Sequence, residues 1–234
     1  MPDARVAIVT GGGRGIGAAI ARELHGRDYR VALMSPSGSA EALAGELGGV
    51  GVSGSVTEAG DLERLVDAAL DAYGRIDAVV NHTGHPPKGE LLGIPDDDWH
   101  VGLDMLLLNV VRMARLVTPA MLRQGGGAIV NITTFAAFEP ELSLPVSSCI
   151  RAALSGFAKL YADRYADAGI RMNNILPGYI DSLDHAEGTS GRIPMQRIGT
   201  VAEIARTTAF LLSDGAGYIT GQSIRVDGGL TRHV

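Results

Sequence analysis

Eight residues near the start, Thr10-Gly-Gly-Gly-Arg-Gly-Ile-Gly17, constrain the fold more than any other part of the chain. They follow an apolar, strand-like run, Val6-Ala-Ile-Val9, and open a helix-like one from Ala18 to Leu24. Glycines in that position allow a tight turn and a close approach of backbone to a bulky anion. The helix beyond them aims its N-terminus at the same point, where negative charge is favoured. A strand, a glycine turn and a helix in this order form the fingerprint of a dinucleotide site.

Short β-branched runs alternate with helical patterns along the rest of the chain, which predicts an α/β fold with a parallel sheet covered on both faces. Strands are expected at Val6–Thr10, Arg30–Met34, Gly49–Val52, Ile76–Asn81, Ala128–Ile132, Ile170–Ile175 and Ser223–Val226. Helices are expected near Gly15–His25, Ala40–Leu47, Ala59–Tyr73, Asp96–Arg123, Ser147–Ala168 and Val201–Leu212. No repeat or linker divides the 234 residues, so 1–234 reads as a single domain. The loosest segment, Asp181–Gly191, comes after a strand and Pro177-Gly178, where it can form a lid over the carboxyl ends of the strands.

Glycine makes up 32 residues, about twice the usual share of roughly 7%, with no repeat to account for it. Tight turns and close backbone approaches explain the excess. The net charge of −6 excludes a nucleic-acid footprint, which needs a basic face. A single cysteine, Cys149, excludes an internal disulfide and fits a reducing compartment. No leader pattern opens the chain, and no apolar run approaches the ~18 residues of a membrane span. The expectation is a cytoplasmic protein that works on a small molecule, away from nucleic acid and membrane.

Two helices carry more apolar surface than one sheet face requires. After Trp99 come Leu103, Met105–Leu108, Val110, Val111 and Met113, which cover most of a helix circumference. The helix after Ser147 offers Ala152, Ala153 and Gly156 beside Phe157 and Leu160. A helix apolar all round is buried all round. Either another part of the chain or a second subunit covers these faces, and a homo-oligomer is the preferred reading.

Five segments together carry a family resemblance: Thr10–Gly17, Asn81-His-Thr-Gly84, Ile129-Val-Asn-Ile132, Asn174-Ile-Leu-Pro-Gly178 and Gly221-Gln-Ser-Ile-Arg-Val-Asp-Gly-Gly229. In order and spacing the chain resembles the short-chain dehydrogenase/reductases, most of all the bacterial 3-oxoacyl-carrier-protein reductase type. The resemblance implies a single Rossmann-like, doubly wound domain with seven parallel strands, a nicotinamide dinucleotide, and a dimer or tetramer built on the two apolar helices.

It also assigns the nucleotide site. Gly11, Gly15 and Gly17 take the family's glycine positions, with Arg14 and Ile16 between them. Ser35 and Ser37 stand after the second strand, where an acidic residue would bind the ribose of NAD and repel a 2′-phosphate. Hydroxyls there, with Arg14 in reach, favour NADP(H) over NAD(H). Ser55 replaces the family's adenine-contacting Asp, and the family's Asn-Asn-Ala-Gly turn reads Asn81-His82-Thr83-Gly84. Pro177, Gly178, Ile180 and Ser182 match the positions that hold the nicotinamide carboxamide.

The chemistry-bearing residues depart from the family. Its Asn-Ser-Tyr-Lys tetrad becomes Leu106, Thr134, Ser147 and Arg151, with Asn109 one turn beyond Leu106. Ser147 and Arg151 keep the i, i+4 spacing, which puts both on one helix face about 6 Å apart along the axis. A phenol has a pKa of about 10, whereas an aliphatic hydroxyl lies nearer the ~15.7 of water. That gap of roughly five units is up to ~7 kcal/mol of proton-transfer driving force. Ser147 therefore cannot replace a tyrosine. Arg151 can hold ribose hydroxyls and supply charge, but its pKa keeps it from relaying protons.

His85, just past the Asn81–Gly84 turn, is the alternative proton donor, with a reference pKa near ~6.5; a solvated loop histidine is the plain alternative. His82 is read as bonding backbone, and Tyr179 as packing or catalytic. Glu139 and Glu141 are read as solvated or as binding a cationic substrate, and Cys149 as a small core residue. No Cys/His cluster has metal-ligand spacing. Three functions stay open: a divergent NADP-dependent reductase whose acceptor, such as an iminium carbon, needs no strong acid or which uses His85; a carbonyl or alcohol oxidoreductase working through Thr134 and water; and a redox-silent nucleotide-binding protein acting as a sensor or partner subunit.

Overall fold

The computed structural model describes residues 4–233. Seven strands form one sheet in the order β3-β2-β1-β4-β5-β6-β7, with every pairing parallel. They are β1 (Val6–Thr10), β2 (Arg30–Ser35), β3 (Val50–Ser53), β4 (Ala78–Asn81), β5 (Gly127–Ile132), β6 (Ile170–Pro177) and β7 (Ser223–Val226). The helices are α1 (Gly15–His25), α2 (Ser39–Glu46), α3 (Ala59–Tyr73), α4 (Asp96–Leu103), α5 (Asn109–Gln124), α6 (Pro145–Tyr165) and α7 (Val201–Leu212). This is the doubly wound, Rossmann-like architecture expected. The strand order reverses between β1 and β4, and the crevice beyond their carboxyl ends is where such sheets bind ligands.

Alternation along the strands divides the core in two. Ala7, Val9, Val31, Leu33 and Val80 face α1, α2 and α7, packing on Ile20, Leu24, Leu43 and Ile204. Ile8, Met34, Val79 and Ile129 face α3, α5 and α6, packing on Leu65, Met113, Val117 and Leu154. Full burial of each such side chain contributes about 1.5–3 kcal/mol. Burial on both faces is why the strands read as continuous apolar runs.

The helix expected over Asp96–Arg123 is interrupted by a π-helical turn, Asp104–Leu108. Such turns insert a residue and rotate the helix beyond them. Leu106 sits in a small core with Ile94, Val146 and Ile150, whereas Asn109 opens α5, buried, its Nδ2 donating to the Met105 carbonyl at 2.6 Å. The stretch Asp96–Gln124 also corrects the expectation that no run approaches span length. By length and composition it is apolar enough to cross a membrane, with a mean hydropathy of 1.4 over 18 residues. Half of that window is buried inside the molecule, through residues such as Val110, Met113, Val117 and Met121.

Three further expectations change. Cys149 is exposed on α6 and does not enter the core. Phe157 is partly buried against its own core, 6.2 Å from the Tyr161 ring, so the small and apolar residues left on the outer face of α6 are Cys149, Ala152, Ala153, Gly156 and Leu160, next to the exposed Lys159–Asp163 pair. The strand expected from Ile76 begins at Ala78, because Ile76 spends its backbone on the Gln124 side chain, N–H to Oε1 at 3.2 Å and carbonyl from Nε2 at 2.6 Å.

Candidate functional site

The glycine loop leaves β1 and enters α1 with Gly11 and Gly15 in the left-handed region, at φ +58° and +51°. Left-handed backbone costs an ordinary residue about 1–2 kcal/mol. Space is a second constraint. A Cβ on Gly17 would run into the Gly11 carbonyl, and one on Gly13 into the Ser39 side chain. These absent side chains let the loop fold back on itself and against the end of β2, which leaves its backbone close-packed at the start of α1. Arg14 is the N-cap of α1 and exposed, so its cation is available beside the loop. Ile16 is partly buried against the α1 side of the core.

The neighbouring turn is fastened to this loop. Thr10 Oγ1 donates to the His82 carbonyl at 2.8 Å and accepts from the His82 N–H at 3.0 Å. The His82 ring lies 3.4 Å from the Gly11 carbonyl through Nδ1. Burial pushes its pKa down to about 4, with Arg151 and His85 adding to the effect. His82 is thus neutral at ordinary pH and bonds backbone, as the sequence suggested. Gly84 and His85 are exposed beyond it. The pKa of His85 is also lowered, by partial desolvation first and then by the charges of Lys88 and Arg151.

Beneath the turn runs a feature that sequence reasoning missed. Asn81 Nδ2 donates to Asn131 Oδ1 at 2.9 Å, Asn131 Nδ2 to Asn174 Oδ1 at 2.8 Å, and Asn174 Nδ2 to Ser223 Oγ at 3.1 Å. The four residues are register partners across β4, β5, β6 and β7. The ladder satisfies amides that would otherwise be costly to bury. An Asn near the end of three successive apolar strands was the available signal.

At the adenosine end, Ser35 is buried, and its hydroxyl is already engaged. It donates to the Ser37 carbonyl at 3.0 Å, lies 3.1 Å from Ser39 Oγ, and accepts from the Ala40 N–H at 3.1 Å. Ser37 and Arg14 remain exposed there. Ser55 is held by its N–H to Asp61 Oδ2 at 2.7 Å, and its hydroxyl lies 2.8 Å from Thr57 Oγ1.

The other end of the cleft gathers Thr134, Ser147 and Arg151. Thr134 caps a short 3-10 turn, accepting the Ala136 N–H at 3.4 Å. Ser147 and Arg151 are buried, each 6% exposed, on the first two turns of α6. Arg151 Nη1 donates to the Ile132 carbonyl at 2.8 Å, while its Nε has no partner. Burial pushes the guanidinium pKa down to about 10, still far above neutrality.

The start of the segment expected to form a lid is clamped on both sides. Ile180 pairs with Gly199, and Asp181 Oδ1 accepts the Val201 N–H at 2.8 Å at the start of α7. Gly178 passes so close to Asp227 that a Cβ would sit 2.8 Å from its Cα. Ser182 reaches the glycine loop, its Cβ 3.3 Å from where a Gly15 Cβ would be. Just past Asp181–Gly191, Arg192 donates to the Tyr179 hydroxyl at 2.8 Å and to Glu141 Oε1 at 3.0 Å. This corrects the reading of the acidic loop as solvated: Glu139 likewise accepts the Arg232 and His233 N–H groups, at 2.5 and 3.2 Å. Tyr179 packs, 5.5 Å from the Phe135 ring and 5.3 Å from that of His185. A cavity of about 440 Å³ between Tyr179, Met195, Arg197, Glu203 and Arg225 lies outside the cleft, touching neither the glycine loop nor Arg151. Among the described residues no group of three His, Cys, Asp or Glu is placed to hold a metal.

A family model described as enoyl-(acyl carrier protein) reductase matches residues 11–231. The chain belongs to the short-chain dehydrogenase/reductase family. Among curated short-chain dehydrogenase/reductase relatives, the 3-oxoacyl-[acyl-carrier-protein] reductase of Synechocystis is 35% identical, with 97% of each chain covered. The enzyme of that name from Escherichia coli K12 is 32% identical over 97% of this chain and 98% of its own. Of solved structures, the TT0495 protein from Thermus thermophilus has a TM-score of 0.89 at 35% identity, covering 97% of this chain and 98% of that one. L-sorbose reductase from Gluconobacter frateurii, complexed with NADPH and L-sorbose, has a TM-score of 0.92 at 26% identity, covering 99% and 98%.

Proposed function

We propose that this short-chain dehydrogenase/reductase is an NADP(H)-dependent oxidoreductase acting on a small molecule without the Tyr/Lys pair. One observation carries the reading: the glycine turn at Gly11–Gly17, left-handed at Gly11 and Gly15, opens α1 at the carboxyl end of β1, with Ser182 packed beside Gly15. Reductase relatives, one of them a structure holding NADPH, support it. A reduced nicotinamide bound there supplies a hydride. Gly11, Arg14, Gly15, Ile16 and Gly17 would hold the pyrophosphate, with Arg14 and Ser37 toward the adenosine phosphate and Ser55 toward adenine. Asn81, Gly84, Pro177, Gly178, Ile180 and Ser182 would frame the ring, and the unpartnered Arg151 Nε fits a ribose hydroxyl acceptor.

Thr134 offers a hydroxyl to an acceptor oxygen. Ser147 lines the cleft without transferring the proton, because an aliphatic hydroxyl is too weak an acid. His85 follows the Asn81–Gly84 turn within electrostatic reach of Arg151, and its lowered pKa makes its protonated form a stronger but scarcer acid. An iminium acceptor loses support, since Arg151 and Lys88 lie within electrostatic reach of the His85 side of the cleft. The absent Tyr/Lys pair favours one competing reading, a redox-silent nucleotide-binding subunit.

The deciding measurement is a turnover screen with NADPH over ketones, iminium ions and activated alkenes. Ser147→Ala should reduce turnover less than about tenfold, a barrier change below ~1.4 kcal/mol. His85→Ala should cost about 100-fold, the contribution of a positioned acid. Loss of turnover in Ser147→Ala with none in His85→Ala would reverse the assignment. No oxidation of NADPH by any class, with carbonyl reduction created by Ser147→Tyr plus Arg151→Lys, would establish the silent reading.

A further inference from the structure

Arg151 is a buried cation without an anion. It is 6% exposed, the one hydrogen bond of its guanidinium among the described residues is Nη1 to the Ile132 carbonyl at 2.8 Å, and Nε is unpartnered there. No carboxylate pairs with it among the described residues. The two acids of the neighbouring loop are committed elsewhere, Glu141 to Arg192 and Glu139 to the backbone of Arg232 and His233. The other ionisable groups within its electrostatic reach are bases. His82 and His85 both feel its charge, and Lys88 adds to it at His85.

An unpaired buried charge is retained at a large cost unless something binds to it. Ribose hydroxyls satisfy donors but leave the charge. The nucleotide's phosphates do not supply it either, because the glycine turn and Arg14 place them at the N-terminus of α1. Beside Arg151, one turn earlier, the Ser147 hydroxyl has no hydrogen-bond partner among the described residues and belongs to the first turn of α6, where negative charge is favoured. With Nη1 already on the Ile132 carbonyl and Nε turned to the ribose, Nη2 and the second Nη1 hydrogen remain for a carboxylate.

We propose that the cleft takes a substrate bearing a carboxylate, held by the Arg151 guanidinium beside the Ser147 hydroxyl; this rests on the oxidoreductase reading and names its substrate class. It leaves the reducible group to sit toward Thr134.

The test uses the full chain saturated with NADP+, so that oxo acids bind without turnover. Calorimetry compares 2-oxobutanoate, 3-oxobutanoate and 3-oxohexanoate, each with its methyl ester. At least one acid should bind about tenfold or more tighter than its ester, the scale of a charge-assisted bond. Arg151→Lys should keep that preference and Arg151→Gln should lose it. Ser147→Asp places a carboxylate four residues before Arg151. It should abolish the preference and raise the melting temperature, a readout that survives if Arg151→Gln fails to fold. Esters binding as well as acids, no acid binding, or a preference that persists in Arg151→Gln would each overturn the proposal. Nucleotide affinity is measured on the same samples. A wild type that binds no nucleotide overturns the oxidoreductase reading with it, whereas nucleotide binding without acid preference overturns this inference alone.

Discussion

Gly13 abuts Ser35: a Cβ on the glycine would stand 2.9 Å from the serine hydroxyl. The phosphate loop and the end of β2 are thereby one surface, with a turn of hydroxyls where an NAD-binding protein of this architecture places a carboxylate. Because Ser35 Oγ is already shared among Ser37, Ser39 and the Ala40 N–H, it shapes the turn more than it offers a bond. On the proposed reading, the exposed Arg14 and Ser37 would meet a 2′-phosphate.

NADPH is accordingly expected to bind more tightly than NADH by about 1–3 kcal/mol, the worth of one charge-assisted phosphate contact. Arg14→Ala should remove most of that difference and leave NADH affinity nearly unchanged. Calorimetry with both nucleotides on both proteins decides it. Equal affinities in the wild type would remove Arg14 from the phosphate.

His82 predicts an acid weakness in the fold. Its folded pKa of about 4 lies below the usual 6.5, so between those values the unfolded chain binds a proton that the folded chain refuses. Stability therefore falls as pH drops through that window and is unaffected above it. The cost at pH 5 is about 2 kcal/mol by linkage, an upper figure because the ring is only partly shielded from solvent. Urea unfolding at pH 7.5 and 5 should show the loss, and His82→Asn should flatten it. A slope unchanged by that substitution would assign the acid sensitivity to other groups.

Much of this site was legible because its signals are local. The glycine turn, the Pro177-Gly178 break and the i, i+4 spacing of Ser147 and Arg151 lie within single segments, and the continuous apolar runs marked the strands that the sheet buries on both faces. What escaped depends on partners far apart in the chain. Nothing around Glu141 indicates that Arg192, 51 residues on, will take its charge. Nothing near Ser35 shows that Ala40 will claim its hydroxyl. The asparagine ladder needed the strand register. The π turn at Asp104–Leu108 keeps the apolar helical pattern on both sides and so left no trace in periodicity.

The outer face of α6 yields the last expectation. Its inner side is filled by Val146, Ile150, Leu154, Ala158 and Tyr161, all buried in the chain's own core. Cys149, Ala152, Ala153, Gly156 and Leu160 recur three and four residues apart on the outside, and Leu160 is 71% exposed. Small residues let another helix approach closely, and Leu160 supplies the apolar area. We propose that this face joins two copies of the chain, so the protein should sediment as a dimer or tetramer. Leu160→Asp should weaken assembly by about 100-fold or more, since an unpaired charge buried at a contact costs roughly 3–5 kcal/mol. The same substitution on an exposed position leaves the fold of the single chain intact, within about 0.5 kcal/mol. Far-UV circular dichroism should then match the wild type while the sedimentation coefficient drops. A wild type that is monomeric at micromolar concentration, or a Leu160→Asp variant that assembles as before, would free this face of any such role.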